Sequence, residues 1–321
     1  MRTGGTAEGS RGCGPATAGG AAGALVGGSR LQRTWAILRS ELFTPSGVRI
    51  IIGVVIVVFY LFVAVFAPVL APYDPQKLGV GGRLETPSPA HPFGTTYLGY
   101  DLLSRTIYGT RTALEIVLLA SVIAMAVGVP LGLVSGYLGG WPDRVLVLIM
   151  DSVYSFPDLI LAIVIAAVLG SGMFNAAVAV SVVYVPQYFR VTRNHTLSVR
   201  EEPFVEAARA LGASKFDIIR RYIFPNVSQS IPVILTVNSA DAILTLAGLS
   251  FLGFGITPPK PFWGLDVSEA WRYLTMTKEY PQVWWWTAIP GLAIVILIIG
   301  FTLLGEGLND ILNPQLRESQ R

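Results

Sequence analysis

Long apolar stretches alternate with polar segments along this chain, and six of them approach the length of a membrane-spanning helix. A helix needs about 20 residues to cross the hydrocarbon core of a bilayer, because it rises about 1.5 Å per residue. The pattern therefore predicts an all-α membrane protein with six transmembrane helices, the fourth of which is the weakest. The predicted spans are 48–71, 113–135, 145–169, 176–189, 231–252 and 287–304.

Composition supports a bilayer as the surrounding solvent. Hydrophobic residues make up 52% of the chain and charged residues only 13%, against about 25% charged residues in a typical soluble domain. The net charge of +3 is spread between apolar spans, so it does not form the basic surface that nucleic acid requires. We therefore expect a lipid bilayer, and no nucleic acid, as a partner.

The basic residues predict the orientation of the chain. Of the 23 Lys and Arg residues, 16 lie in the two termini, the second-to-third loop and the fourth-to-fifth loop, when Arg49 at the start of the first span is counted with the N-terminus. Loops on the cytoplasmic side retain an excess of Lys and Arg. Both termini and the fourth-to-fifth loop are therefore predicted to be cytoplasmic.

The polar segments divide the chain into five predicted parts. In the outer loop after the first span, Leu98, Leu102, Leu103 and Ile107 fall on one helical face, which is typical of an interfacial helix. The parts are a disordered cytoplasmic tail with a lead-in helix (1–45), the first transmembrane helix (46–71), an outer loop with the interfacial helix (72–111), a five-helix core (112–305) and a cytoplasmic C-terminal tail (306–321).

The chain has too few cysteines and histidines for a disulfide framework or a transition-metal site. The only cysteine, Cys13, lies in the N-terminal tail, and the two histidines, His91 and His195, fall on opposite predicted sides of the membrane. A transition-metal site needs several imidazole or thiolate ligands close together. We therefore expect no metal site and no cofactor on this chain.

The polar run 201–226 interrupts the apolar pattern with two short predicted helices. Pro203 suits a first helical turn, and Phe204, Ala207, Ala208 and Leu211 then recur on one side before Gly212. Ser214 and Asp217 have the spacing of a capping box, which opens a second helix predicted to stop before Phe224-Pro225. On this pattern alone, an ordinary amphipathic connector is an equally good interpretation.

Glycines in the second span indicate close helix packing. Gly128, Gly132 and Gly136 recur every four residues and so fall on one helical face. Small residues at this spacing let another helix approach closely.

Acidic residues inside apolar stretches are functional candidates, because a charge in lipid is costly. Asp241, with Asn238 and Thr245 on the same predicted span, is the candidate for the translocation path or a subunit interface; a hydrogen-bonded packing role is the alternative. We assign Asp151 to packing or the interface. Asp158 follows Phe156-Pro157 and is expected to cap a helix that restarts after a proline break.

Tryptophans cluster near the last outer loop, at Trp263, Trp271 and 284–286. The favoured interpretation is an interfacial belt that anchors the sixth span, and the alternative is a binding site for an aromatic ligand.

The run 201–226 resembles the coupling loop of ATP-binding-cassette importer permeases. The resemblance is carried by Glu206-Ala207-Ala208, Gly212 and Ile223-Phe224-Pro225. Nearly everything after residue 45 is also similar to the second, C-type membrane subunit of dipeptide, oligopeptide and nickel importers. The further matching segments are 91–95, 136–144, Asp151 with 156–157, 249–253, 258–259, 263–264 and 290–316.

The resemblance implies a type I importer permease fold in the plasma membrane of a prokaryote. Its implied partners are a homologous second permease subunit, two ATPase subunits and an extracytoplasmic substrate-binding protein. It also implies that the ATPase contacts are Glu206, Ala207, Ala208, Leu211, Gly212 and Ala213. None of the four lysines lies in a GxxxxGK[ST] loop, so ATP and Mg²⁺ are expected on the partner subunits and no hydrolysis on this chain.

This chain departs from the family pattern at Thr96, Tyr100 and Leu246, where the family often carries an acid, an arginine and a glutamate. We hypothesise that Asp241, five residues earlier, partly replaces the glutamate at position 246. Peptides are the expected substrates, and nickel chelates, glutathione or another small solute are alternatives. A self-contained secondary transporter and a membrane anchor without transport activity are the competing classes, although the chain shows no convincing internal repeat.

Overall fold

A computed structural model of the chain describes residues 45–276 and 283–312. The predicted disordered tail, Cys13 and the end of the C-terminal tail lie outside these residues. The described chain is helical, with no strand. Its α-helices are α1 (Pro45–Val65), α2 (Ala67–Leu70), α3 (Leu102–Leu138), α4 (Gly140–Tyr154), α5 (Asp158–Leu169), α6 (Met173–Val199), α7 (Pro203–Ala210), α8 (Lys215–Ile218), α9 (Phe224–Val227), α10 (Ile231–Phe251), α11 (Trp263–Met276) and α12 (Trp284–Leu312).

Four described helical segments are long and apolar enough to cross a membrane, and a bent pair raises the number to five. The four segments contain α1, α3, α10 and α12. The predicted fourth span lies within α6, which carries Arg190 and Arg193 in its second half and does not belong to this set. By length and apolarity the structure therefore accounts for five of the six predicted spans.

The predicted third span is not one straight helix. Helices α4 and α5 meet at an angle of 92°, and Pro157 stands immediately before the second of them. The predicted restart after a proline break is confirmed. The predicted cap is wrong: Asp158 is the first residue of α5, Pro157 occupies the cap position, and no side-chain hydrogen bond caps the helix.

The three glycines of α3 lie against the backbone of α6. A Cβ atom on Gly128 would lie 2.7 Å from the Val185 carbonyl oxygen, and one on Gly132 would lie 2.6 Å from the Phe189 carbonyl oxygen. Gly136 is equally confined by Thr196. Because real Cβ contacts at these distances do not occur, only glycine permits this approach of the two helices.

The outer loop packs into the rest of the protein instead of lying on a membrane surface. The predicted interfacial helix is absent as a separate element, because Leu102 begins the long helix α3 and is fully buried. Asp101 caps this helix by accepting a hydrogen bond from the Ser104 amide at 2.8 Å. The Asp101 carboxylate also contacts His91 Nδ1 at 2.9 Å, which ties the loop to the helix terminus.

A buried arginine joins three outer segments. Arg105 Nε donates to Asp266 Oδ1 at 2.7 Å, and Arg105 Nη1 donates to the Pro75 and Pro259 carbonyls at 3.2 Å each. Its guanidinium also lies 4.6 Å from the centre of the Tyr100 ring. Burial raises the pKa of the Asp266 carboxyl and exceeds the opposing effect of Arg105.

The tryptophans divide between packing and surface positions. Trp263, Trp285 and Trp286 are buried, whereas Trp271 and Trp284 are exposed. The interfacial belt predicted from all of them is therefore wrong for the three buried rings, which pack in the protein core.

Candidate coupling surface and translocation cavity

Helix α7 is a short amphipathic helix that follows α6 after a three-residue connection. Pro203 occupies its first turn, where the missing N–H costs no helical hydrogen bond. Val205 and Ala208 are buried against the core, whereas Phe204 is 41% exposed and Leu211 is 88% exposed. The apolar residues therefore face two ways: one pair anchors the helix and the other is open to contact.

Hydrogen bonds define the turn after α7. The Ala213 amide donates to the Ala208 carbonyl and the Gly212 amide donates to the Arg209 carbonyl, both at 3.1 Å, which is a Schellman motif. Gly212 has φ +82°, in the left-handed region that favours glycine. No atom lies within 4 Å of a Cβ built on it, so backbone conformation, not space, requires the glycine.

The next helix opens with a variant of the predicted capping box, in which Ser214 caps the helix as expected but the Asp217 carboxylate binds the Ser214 hydroxyl and not its amide. The Asp217 amide donates to Ser214 Oγ at 3.1 Å, and Ser214 Oγ donates to Asp217 Oδ2 at 2.6 Å. Phe216, next to it, is 68% exposed. The Schellman turn and the capping box follow each other directly, so the turn between α7 and α8 has a fixed conformation. We call the exposed side chains on either side of this turn the coupling surface (Phe204, Glu206, Leu211 and Phe216).

The second helix of this segment does not stop before Phe224-Pro225 as predicted. A π-helical turn, Ile219–Ile223, leads into α9 and then through a 3₁₀ turn, Ser228–Ser230, into α10. Pro225 and Pro232 each fall in the first turn of a new helix, where a proline is tolerated. The coupling surface is therefore joined to a membrane helix by continuous helical turns.

Two arginines that precede the polar run 201–226, which we call the coupling segment, bind the membrane helices on its other side. Arg200 Nη1 donates to the Gly136 carbonyl at the end of α3 at 2.9 Å. Arg193 on α6 forms two hydrogen bonds with Asp143 on α4, at 2.6 and 2.8 Å. A two-bond Arg–carboxylate contact fixes both distance and orientation, so α6 and α4 are held together at this point.

Glu206 borders a polar recess of about 430 Å³ with Tyr137, Arg200, Glu201 and Arg209. Glu206 is exposed. Its position leaves the carboxylate accessible to a second protein.

A larger cavity of about 800 Å³ begins beside the coupling segment and extends into the membrane region along α10. The part of the cavity wall from Ser230 to Asp241 extends about 16 Å along the axis of α10, at about 1.5 Å per residue. Its lining residues are Tyr154, Gln187, Arg190, Val191, His195, Asn226, Gln229, Ser230, Val233, Ile234, Val237, Asn238, Asp241 and Asn309.

The structure separates the three residues predicted for the translocation path. Asp241 and Asn238 lie on the cavity wall, one helical turn apart. Thr245 does not line the cavity, because it is buried in a 2.8 Å hydrogen bond with the Tyr184 hydroxyl. Leu246 is buried while Asp241 is exposed, so the hypothesis that Asp241 replaces an acid at position 246 does not fit the geometry.

Sequence reasoning missed the polar wall that α6 contributes. Gln187, Arg190 and His195 line the cavity opposite α10. Arg190 Nη2 donates to Asp151 Oδ1 at 2.8 Å, and its guanidinium lies 4.3 Å from the centre of the Tyr154 ring. Asp151, for which we predicted a packing or interfacial role, therefore forms an ion pair at the edge of the cavity. The signal was available, since polar residues at positions 187, 190 and 194–195 follow a helical period.

Two family profiles match the chain. Residues 128–318 match the binding-protein-dependent transport system inner membrane component, and residues 50–87 match the N-terminal transmembrane domain of oligopeptide transport permease C. The first match covers more than half of the chain.

Curated relatives share more than a third of their aligned residues with this chain. A glutathione transport system permease protein of Pectobacterium atrosepticum is 38% identical over 81% of this chain and 85% of its own length. A dipeptide transport system permease protein of Alkalihalophilus pseudofirmus is 36% identical over 83% and 86%. A probable D,D-dipeptide transport system permease protein of Escherichia coli is 38% identical over 81% and 86%.

A solved structure shares the fold. It is a chain of the MetNI methionine ABC transporter in an inward-facing conformation, with a TM-score of 0.51 and 18% identity over 66% of this chain and 98% of that one. The profile matches and the curated relatives show that the chain belongs to the binding-protein-dependent inner membrane component family, the permease subunits of ATP-binding-cassette importers.

Proposed function

We propose that this chain forms half of the translocation pore of a peptide importer and couples it to ATPase subunits through the coupling surface. The observation that carries this proposal is the exposure of Leu211 and Phe216 on a corner held rigid by a Schellman turn and a capping box. Large apolar side chains that are exposed on a fixed corner are suited to an apolar cleft in a partner protein.

Of the predicted ATPase contacts, Leu211 and Glu206 are the ones with long, exposed side chains. Leu211 supplies the apolar anchor, and Glu206 supplies an exposed carboxylate on the same short segment. Gly212 and Ala213 act through the turn conformation, and the buried Ala208 fixes α7 on the core. Ala207 is exposed and small, which allows close approach of the partner.

The proposed cycle transmits motion by contacts that the structure supplies. ATP and Mg²⁺ bind the separate ATPase subunits, whose closure brings the coupling segments of two permease subunits together. Displacement of α7 acts on the membrane helices through Arg200 and Gly136 and through Arg193 and Asp143. The bent pair α4–α5 then shifts relative to α10, and the pore opens to the outside.

The remaining subunits follow from the same proposal. A homologous second permease completes the pore, and an extracytoplasmic binding protein delivers the substrate. The coupling segment, together with both termini, lies on the cytoplasmic side, consistent with the excess of Lys and Arg there.

Di- or oligopeptides are the proposed substrates. Dipeptide and D,D-dipeptide permeases among the relatives support this, and the glutathione permeases support a modified tripeptide as the second candidate. The cavity of about 800 Å³ has room for either, and its wall offers both an acid and hydrogen-bonding amides.

A matched pair of substitutions tests the coupling proposal. Leu211→Asp on the coupling surface is compared with Leu98→Asp on the outer loop, since both leucines are exposed. Burying one leucine is worth about 1.5–3 kcal/mol, so Leu211→Asp is expected to weaken binding of the copurifying ATPase by roughly 10- to 150-fold. Leu98→Asp is expected to leave it unchanged.

The measurement is ATPase retention and ATP-dependent uptake by the complex purified through the full-length chain and reconstituted in vesicles. Equal retention in both variants would show that the coupling surface is not the docking site. Transport by a chain that purifies alone, without ATPase, would instead establish a secondary transporter.

A further inference from the structure

An apolar groove, separate from the translocation cavity, opens between α1, α3 and α10 and has a volume of about 530 Å³. Aliphatic side chains line most of it, and three of them, Leu61, Val65 and Leu118, are 48%, 69% and 63% exposed. An open apolar surface on membrane-spanning helices can be covered by acyl chains or by another helix.

The hydroxyl groups in this groove already have partners within their own helix. Thr236 Oγ1 donates to the Val233 carbonyl and Ser239 Oγ donates to the Leu235 carbonyl, each at 2.7 Å. A polar solute would therefore lose its hydrogen bonds to water in the groove and find few new ones, whereas an acyl chain has none to lose.

An ion pair stands at one end of the groove. Arg111 Nε donates to Glu115 Oε1 at 2.9 Å, and the two side chains are 46% and 45% exposed. Within residues 45–276 and 283–312, no other hydrogen bond or ion pair involves either side chain. Both Nη groups of Arg111 and the second carboxylate oxygen of Glu115 are therefore open to a ligand.

The groove has the depth of one leaflet of a bilayer. Its wall on α3 extends from Arg111 to Ser121, about 15 Å at about 1.5 Å per residue. This is half of a hydrocarbon core of about 30 Å. Arg111 lies just before the second span predicted from the sequence, 113–135. The ion pair therefore lies at the level of lipid headgroups, and the apolar part of the groove lies at the level of acyl chains.

We propose that this groove binds a phospholipid with a primary ammonium headgroup, of the phosphatidylethanolamine type. The Nη groups of Arg111 donate to the phosphate oxygens, and the free oxygen of Glu115 accepts a hydrogen bond from the ammonium group. The ion pair and the headgroup are each neutral overall and carry complementary charges. A choline headgroup has no N–H to donate, and a glycerol headgroup has no cation. Only the assignment to the outer leaflet rests on the orientation proposed above.

Native mass spectrometry of the delipidated complex, purified through the full-length chain, tests the headgroup preference. Phosphatidylethanolamine, phosphatidylcholine and phosphatidylglycerol with identical acyl chains are titrated separately. Glu115→Gln is expected to weaken binding of phosphatidylethanolamine about fivefold, the effect of one partly exposed ion pair, and to leave phosphatidylcholine unchanged. Arg111→Gln is expected to weaken binding of all three lipids, because each carries the phosphate.

The matched controls are Glu306→Gln and Arg49→Gln. Arg49 and Glu306 form a similarly exposed pair, 48% and 53%, outside the groove. Both controls are expected to bind the lipids as the parent chain does. Because other lipid sites are common to all variants, the differences between them report on this groove. An unchanged affinity for phosphatidylethanolamine in Glu115→Gln, or an equal loss in Glu306→Gln, overturns the proposal.

A second pair of substitutions tests the groove itself. Leu118→Trp partly fills it, whereas Leu244→Trp adds the same ring outside it, at a leucine of similar exposure, 60%. Leu118→Trp is expected to weaken binding of all three lipids on the order of tenfold, as when about two methylene groups lose their contacts. Leu244→Trp is expected to leave binding unchanged, and equal effects of the two substitutions contradict the assignment.

The same titration of the chain purified alone identifies the occupant. Binding of phosphatidylethanolamine by the chain alone but not by the complex would show that the second permease covers the groove, and the lipid assignment would be wrong. Equal binding by both supports it. Because the titrations contain no ATP and require no transport, either result leaves the coupling proposal to its own experiment.

Discussion

Replacing Gly132 by alanine is expected to force α3 and α6 apart. The added Cβ would lie 2.6 Å from the Phe189 carbonyl oxygen, 2.8 Å from Thr192 Cβ and 3.1 Å from the Arg193 amide nitrogen. Comfortable contacts between carbon atoms require about 3.5–4.0 Å. Two of the three obstructing atoms belong to the backbone, so a side-chain rotation cannot relieve the contact and the helices must separate by several tenths of an ångström.

Two opposing contributions determine how much Gly132→Ala changes the free energy of unfolding. Alanine favours a helix over glycine by about 1 kcal/mol. Overpacking of a tight contact costs about 1–3 kcal/mol. Gly291 in α12 supplies the control, because no atom lies within 4 Å of a Cβ built there. Gly291→Ala gains the helix term alone, so the difference between the two variants isolates the packing cost.

The assay is the free energy of unfolding of the purified chain in mixed micelles, titrated with a denaturing detergent. Gly132→Ala is expected to be about 1–3 kcal/mol less stable than Gly291→Ala, a factor of roughly 5 to 150 in the unfolding equilibrium. If the two variants have the same stability, the close approach of α3 and α6 at Gly132 is not a determinant of the fold.

Three further predictions concern the outer segments and the coupling turn. Asp266→Asn is expected to destabilise the protein by about 3–5 kcal/mol in the same titration, because it leaves the buried Arg105 guanidinium uncompensated. Arg111→Gln, which breaks an exposed pair, should change stability by less than about 1 kcal/mol, and equal effects would contradict the reasoning. Burial and the Asp266 carboxylate raise the pKa of Glu269 above its ordinary 4.5, so the folded state should lose stability as pH rises from there through the raised pKa. Glu269→Gln should flatten this part of the thermal stability profile, and an unchanged slope would exclude Glu269 as its source. Gly212→Ala should strain the left-handed turn by about 1–2 kcal/mol and weaken ATPase retention; full retention would show that the turn is not required for docking.

Local signals in the sequence were sufficient for the first half of the coupling segment, although they placed the end of its second helix wrongly. Pro203 at a first turn, Gly212 at a left-handed position and the Ser214–Asp217 capping box each act within a few residues, so their structural roles can be predicted without knowledge of distant contacts. The same holds for the proline break before Asp158.

Predictions that depended on which side chains are buried were wrong at several positions. The face predicted for an interfacial helix includes Leu102, which is buried at the start of α3, and three of the clustered tryptophans are in the core. A hydrophobic face in a membrane protein can turn toward lipid, toward the interface or toward other helices. Sequence periodicity does not distinguish these surroundings.

By itself, then, the sequence determined that the chain is helical, that it lies in a membrane, and where its coupling turn and close-packed glycines fall, because helix length, turn chemistry and residue size are local properties. Only the tertiary structure decided which polar groups meet. It exposed Asp241 on the cavity wall, buried Thr245 in a hydrogen bond with Tyr184, and paired Arg190 with Asp151. The physical reason is that these contacts join helices far apart in the chain, and their rotation and bending are fixed by packing that involves the whole fold.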